Sequence, residues 1–112
     1  MENAIWGNTT MVLLRLLAEK DMYGYQIINE IMKKSDAVFN LKAGTLYPIL
    51  HGLEKDGMVT TYDETAENQR VRKYYRLTKK GKNLLGEKEA ECKIYMHALN
   101  RLMGWEEEHA AF

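Results

Sequence analysis

From Thr78 to about Gly104 the chain carries one unbroken helical pattern, roughly 26 residues or ~39 Å at 1.5 Å per residue. Leu85, Cys92 and Leu99 recur along it every seven residues, as do Lys88, Tyr95 and Leu102, and Met96 and Met103 widen the stripe. Lys88 spoils one position. The part of the chain before this helix is too small to cover a rod of such length. Tyr95, Met96, Leu99, Leu102 and Met103 would then form an unusually large exposed apolar patch unless a second copy buried them. The expectation is a homodimer joined along this helix, with Leu13 of the first helix and Leu85 and Cys92 on the same seam.

What precedes the rod is a run of short elements. Ile5, Trp6, Thr9, Val12, Leu13, Leu16 and Leu17 recur at three- and four-residue spacings from about Asn3 to Glu19, which predicts an amphipathic helix. Lys20 to Gly24 interrupts the pattern, and a second helix carrying Ile27, Ile28, Ile31 and Met32 runs to roughly Lys34. After an extended piece around Val38 to Leu41, a third helix spans about Ala43 to Lys55 with Leu46, Ile49, Leu50 and Leu53 on one face. Pro48 is tolerable there if Gly44 or Thr45 caps the start, because missing N–H groups cost least in the first turn. Met58 to Tyr62 and Arg70 to Leu77 read as two strands of a hairpin around a solvated acidic turn. In the second strand Arg70, Arg72, Tyr74 and Arg76 alternate with Val71, Tyr75 and Leu77, a basic face against a core face, with Lys73 the exception. Thr78 is the expected cap of the last helix, and Gly81 and Gly86 mark a candidate bend in it.

The chain of 112 residues has enough material for one hydrophobic core. Residues 1–78 are expected to form the winged part and 79–112 the dimerisation helix and tail, within a single compact unit. The fold class is mainly α with a small β-hairpin. Formal net charge is +0, which by itself argues mildly against a nucleic-acid partner. Its distribution argues the other way. Arg70, Arg72, Lys73, Arg76, Lys79, Lys80 and Lys82 cluster between Arg70 and Gly86 without an acidic residue, whereas glutamates outnumber cations from Glu87 onward. A basic region segregated from an acidic tail suits a chain one end of which meets a polyanion.

Three helices followed by a hairpin is the order of a winged helix-turn-helix, in which the third helix enters the major groove and the wing lies along the backbone. At ~100° per residue, turning Leu46, Ile49, Leu50 and Leu53 inward leaves Gly44, Pro48, His51 and Lys55 outward, with Thr45 and Tyr47 on the flanks. Gly44 allows close approach to a phosphate. Thr45 and Tyr47 bond phosphates or base edges, and His51 and Lys42 add polar or cationic reach. The plainer alternative makes Tyr47 half-buried packing and His51 an ordinary surface residue. For the wing, Arg70, Arg72 and Lys73 are candidate phosphate contacts.

The sequence resembles the PadR family of transcription regulators, in the branch with a short C-terminal part. The likeness runs over roughly residues 10 to 103. It rests on Tyr23-Gly24-Tyr25-Gln26-Ile27, on Leu41 to Leu50 at the third helix, on Leu53-Glu54-Lys55-Asp56-Gly57, and on Arg72 to Gly81 from wing to last helix. It implies a homodimeric repressor of a roughly palindromic operator on double-stranded DNA, released by a small effector. It further implies that Tyr25, Lys42, Thr45, Tyr47, Pro48, Arg72 and Lys73 lie at or near DNA. The single C-terminal helix departs from longer members, whose larger dimerisation domain does not carry over.

Trp6 and Trp105 lie on the outer helices near Met96 and Met103, a group that suits either an interface core or a pocket for a small planar apolar effector. An enzyme is disfavoured: His51, His97 and His109 are scattered, Cys92 sits on the seam, and no phosphate loop or paired-histidine motif appears. No cofactor or metal is expected. The single cysteine, the absence of a signal-peptide pattern and the absence of an apolar run of membrane-spanning length lead to a cytoplasmic, non-membrane expectation. The rival reading is a winged-helix protein-interaction module without DNA binding. The basic strand argues against it.

Overall fold

The computed structural model describes residues 8–105. Their order is α1 (Thr9–Glu19), β1 (Met22–Tyr23), α2 (Gly24–Lys34), α3 (Ala43–Lys55), β2 (Val59–Thr65), β3 (Val71–Leu77) and α4 (Lys79–Met103). The mainly α architecture with a hairpin wing is as expected, and one element is added. Met22 and Tyr23 pair antiparallel with Tyr75 and Tyr74, so the sheet has three strands in the order β1-β3-β2. Two residues are too few to show an alternating pattern, which is why the segment reads as a mere interruption.

The core gathers one face from each helix onto the base of the sheet. Leu13, Leu14, Leu16 and Leu17 come from α1, Ile27 and Ile31 from α2, and Leu46, Leu50 and Leu53 from α3. Met22, Val59, Tyr75 and Leu77 close the core from the strands, and Leu85 closes it from α4. Between α2 and α3 the chain turns through two left-handed residues, Asp36 and Ala37. Ser35 steadies the turn, donating its hydroxyl to the Ile31 carbonyl at 2.7 Å and accepting the Phe39 N–H at 3.0 Å.

The start of α3 differs from expectation. Lys42, not Gly44 or Thr45, is the residue preceding the helix, so Pro48 sits in the second turn. Its ring removes the bond that would run to the Gly44 carbonyl and crowds that carbonyl. The neighbouring turns hold the helix through the buried Leu46, Leu50 and Leu53.

Thr78 caps α4 as expected, its hydroxyl oxygen accepting the Gly81 N–H at 3.0 Å. Gly81 makes a close crossing: a Cβ there would overlap the Met58 carbonyl oxygen and lie 2.5 Å from Leu77 Cδ1. The helix therefore lies tight against the sheet for its first turns, then runs on past the body. Its 25 residues give a rod of ~38 Å, consistent with a long axis of 51 Å against 29 and 27 Å. Gly104 ends it in the left-handed conformation (φ 72°). Among the described residues no helix is long and apolar enough to cross a membrane.

Candidate nucleic-acid interface

The amphipathic split of α3 is as derived. Leu46, Leu50 and Leu53 are buried and Ile49 is half-buried, while Gly44, Thr45, Tyr47, Pro48, His51 and Lys55 are exposed, as is Lys42 just before the helix. A Cβ on Gly44 would meet nothing within 4 Å, so no packing inside the protomer requires glycine there. The surface is open, polar and supplied with donors.

The wing keeps the expected alternation but not the expected burial throughout. Pairing of Val59 with Leu77 through Thr65 with Val71 puts Val71, Lys73, Tyr75 and Leu77 on the face toward α3. Arg72, Tyr74 and Arg76 lie on the reverse face. Only the inner half of the first set is core. Tyr75 and Leu77 are buried, whereas Val71, expected in the core, is 69% exposed because the hairpin projects past the body. Lys73 emerges on the α3 side for the same reason. It sits 3.7 Å from Glu54 and 5.7 Å from the centre of the Tyr75 ring. Arg70 precedes the strand and is exposed.

The reverse face is a ladder of rings and guanidiniums. Tyr62 stacks on Tyr74 with centroids 5.6 Å apart, and Tyr23 meets Tyr74 edge-on at 5.4 Å. Arg72 lies 5.0 Å over the Tyr23 ring and Arg76 4.8 Å over Tyr62. Arg76 Nε also donates to Asp21 Oδ2 at 3.1 Å, and the Tyr62 hydroxyl donates to the same oxygen at 2.6 Å. That hydrogen bond, then burial, holds the Tyr62 phenol above the ordinary tyrosine range. The Arg72 Nε is buried and has no hydrogen-bond partner within the protomer. The expected basic face is thus divided: one guanidinium is committed to Asp21 and one is stacked on Tyr23, while Lys73 stands on the opposite face, as its place in the alternation implies.

Four of the candidate residues come together. Tyr25, Tyr47, Arg72 and Lys73 line a concavity of about 200 Å³ where the start of α2, the outer face of α3 and the wing meet. Lys42, Gly44, Thr45, Pro48 and His51 continue the surface along α3, and Arg70 marks its far edge at the turn. Sequence reasoning did not single out Gly24, Val71, Asp21 or Glu54 here. Strand alternation carried a signal only for Val71, as the flank of the exposed Arg72.

The seam residues divide as well. Leu13 is fully buried and Leu85 is 5% exposed within the protomer core, so neither is available to a second copy. A seven-residue repeat cannot tell which turns of a helix meet its own body, and the first turns of α4 do. Cys92, Met96 and Leu99 are half-buried. Tyr95, Leu102, Met103 and Trp105 are exposed, together with Ile94, which the stripe had not included.

The residues expected to line an effector pocket are only partly described. Trp6 lies outside the described residues, and Met103 and Trp105 are more than half exposed at the far end of α4. A largely apolar concavity of about 390 Å³ lies nearer the body between α1, α2 and α4, lined by Val12, Leu16, Ile31, Phe39 and Cys92 among others. Among the described residues no group of three His, Cys, Asp or Glu side chains is placed to hold a metal ion.

Comparison with known proteins matches residues 13–87 to the model of the Transcriptional regulator PadR-like family. An uncharacterized protein of Lysinibacillus sphaericus is 40% identical over 83 residues, 74% of this chain and 76% of that protein. A transcriptional regulator of Mycobacterium tuberculosis is 31% identical over 75 residues, 67% of this chain and 66% of its own. Among solved structures, a transcriptional regulator from Clostridium thermocellum superposes with a TM-score of 0.80 at 33% identity, covering 89% of this chain and 97% of that one.

Proposed function

The chain belongs to the PadR-like family of transcriptional regulators, and from that premise we propose that it is a cytoplasmic homodimer that represses transcription by binding a palindromic operator. In this reading α3 enters the major groove, with Lys42, Gly44, Thr45, Tyr47, Pro48 and His51 facing DNA. Tyr25, Arg70, Arg72 and Lys73 contact the phosphates beside it. The observation that carries the reading is the meeting of Tyr25, Tyr47, Arg72 and Lys73 in one open concavity between recognition helix and wing.

Dimerisation runs through the outer part of α4, where Tyr95, Leu102 and Met103 stand exposed and Cys92, Met96 and Leu99 lie half-buried beside them. Two-fold symmetry then sets two α3 helices about one DNA turn, ~34 Å, apart. Release by a small planar apolar effector belongs to the same reading, with methionines that repack readily along the rod.

The test is binding of the purified chain to duplex fragments of its own upstream region at two salt concentrations. An operator binder weakens steeply as salt rises, with a slope of about −0.9 for every phosphate neutralised. A protein-interaction module shows no duplex-specific retention at either salt, and that outcome would replace the proposal.

A further inference from the structure

Gly24 opens α2 and is buried. Its backbone does not require glycine: only Gly57 and Gly104 among the described glycines have a positive φ. What requires it is Tyr47. A Cβ built on Gly24 would overlap the Tyr47 hydroxyl oxygen and lie 2.5 Å from Cζ and 2.8 Å from Cε1. The outer half of the ring therefore rests on the bare Cα of the neighbouring helix, while the residue as a whole stays 41% exposed. Tyr75, buried at the sheet, lines the same concavity, and Lys73 and Arg72 stand across it. A Cβ at position 24 would therefore force the far end of this partly exposed side chain out of its place.

We infer that Gly24 is a positioning residue, the seat that holds the Tyr47 phenol where recognition helix and wing meet and aims its hydroxyl at a DNA backbone phosphate. The inference rests on the DNA-binding reading above. A phenol held in place gives up little rotamer freedom on binding, and the bond it donates to a charged oxygen is of the stronger kind. A methyl group at position 24 leaves every cation of the interface unchanged and removes only the ring's support.

The experiment compares the parent chain with Gly24→Ala, Tyr47→Ala and the double variant, titrated against a duplex selected by the parent, with melting temperature and mass recorded for each. Gly24→Ala and Tyr47→Ala should each weaken binding about 10- to 100-fold, the range for losing a hydrogen bond to a charged group. The double variant should bind no worse than Tyr47→Ala, because the three atoms nearest to the added methyl all belong to the ring that is gone. Loss of binding multiplying across the two substitutions, or Gly24→Ala binding like the parent, overturns the inference. Should Gly24→Ala fail to fold, a double variant that folds and binds like Tyr47→Ala supports the seat, and one that also fails to fold refutes it. A parent that binds no duplex sinks the DNA-binding reading and the phosphate role with it. The four melting temperatures then still decide whether Tyr47 rests on Gly24.

Discussion

The cations of the wing differ in what already holds them. Arg76 is bound to Asp21 at 3.1 Å on the face turned from α3, and burying it against a phosphate would break that pair. Arg70 is exposed where the turn rejoins the strand, with its backbone N–H on the Asn68 side chain at 3.1 Å. Arg70→Ala should therefore lower the salt slope of operator binding by about 1.8, the value for two phosphates, one per protomer of the proposed dimer, no longer neutralised. Arg76→Ala should leave that slope unchanged. Titrations over a range of salt concentrations separate the two, and equal slopes for Arg70→Ala and parent would remove Arg70 from the interface. Strand alternation alone puts Arg70, Arg72 and Arg76 in one row. The partner that sets Arg76 apart lies 55 residues away in the chain, beyond the reach of any local pattern.

At the scale of elements, two carboxylates tie the wing to the helices. Asp21, in the turn between α1 and α2, accepts from Tyr62 of β2 and Arg76 of β3. Glu54, near the end of α3, accepts the Thr61 hydroxyl at 3.1 Å and faces Lys73 at 3.7 Å. Helix α3 and the wing are thus braced as one body. Removing the first tie with Asp21→Ala should lower the melting temperature by a few degrees and speed amide exchange in β2 and β3, while α1 amides stay protected. Uniform acceleration across the chain would mean that the tie supports the whole fold and not the wing. The elements themselves were largely legible. Apolar periodicity put α3 at Ala43 to Lys55, where it stands, and Thr78 showed as a cap from its place before a run of good helix formers. Patterning is silent on a two-residue strand such as β1, whose existence depends on β3 offering an edge. It is equally silent on Gly81, which reads as a weak point of a helix until the sheet it crosses is known.

The whole molecule is elongated because α4 outruns its body, and the proposed dimer turns on what covers the excess. The apolar stripe was legible in the sequence, but its division was not: Leu85 belongs to the protomer core, and only the later turns remain for a partner. Leu102 is the sharpest probe, since at 84% exposure it contributes almost nothing to the protomer's own packing. Burying such a side chain stabilises by ~1.5–3 kcal/mol. Two-fold symmetry counts it twice, so Leu102→Asp should weaken the dimer by ~3–6 kcal/mol, or about 10² to 10⁴ in dissociation constant. Sedimentation over a dilution series should then show monomers at concentrations where the parent is dimeric, with helical circular dichroism unchanged. Operator binding should fall with it, because a monomer presents one α3 to a site with two halves. A variant that keeps both the dimer mass and the affinity would place the seam on another face of the rod. One that loses the dimer yet binds a full operator as tightly would show that pairing of the copies plays no part in reading DNA.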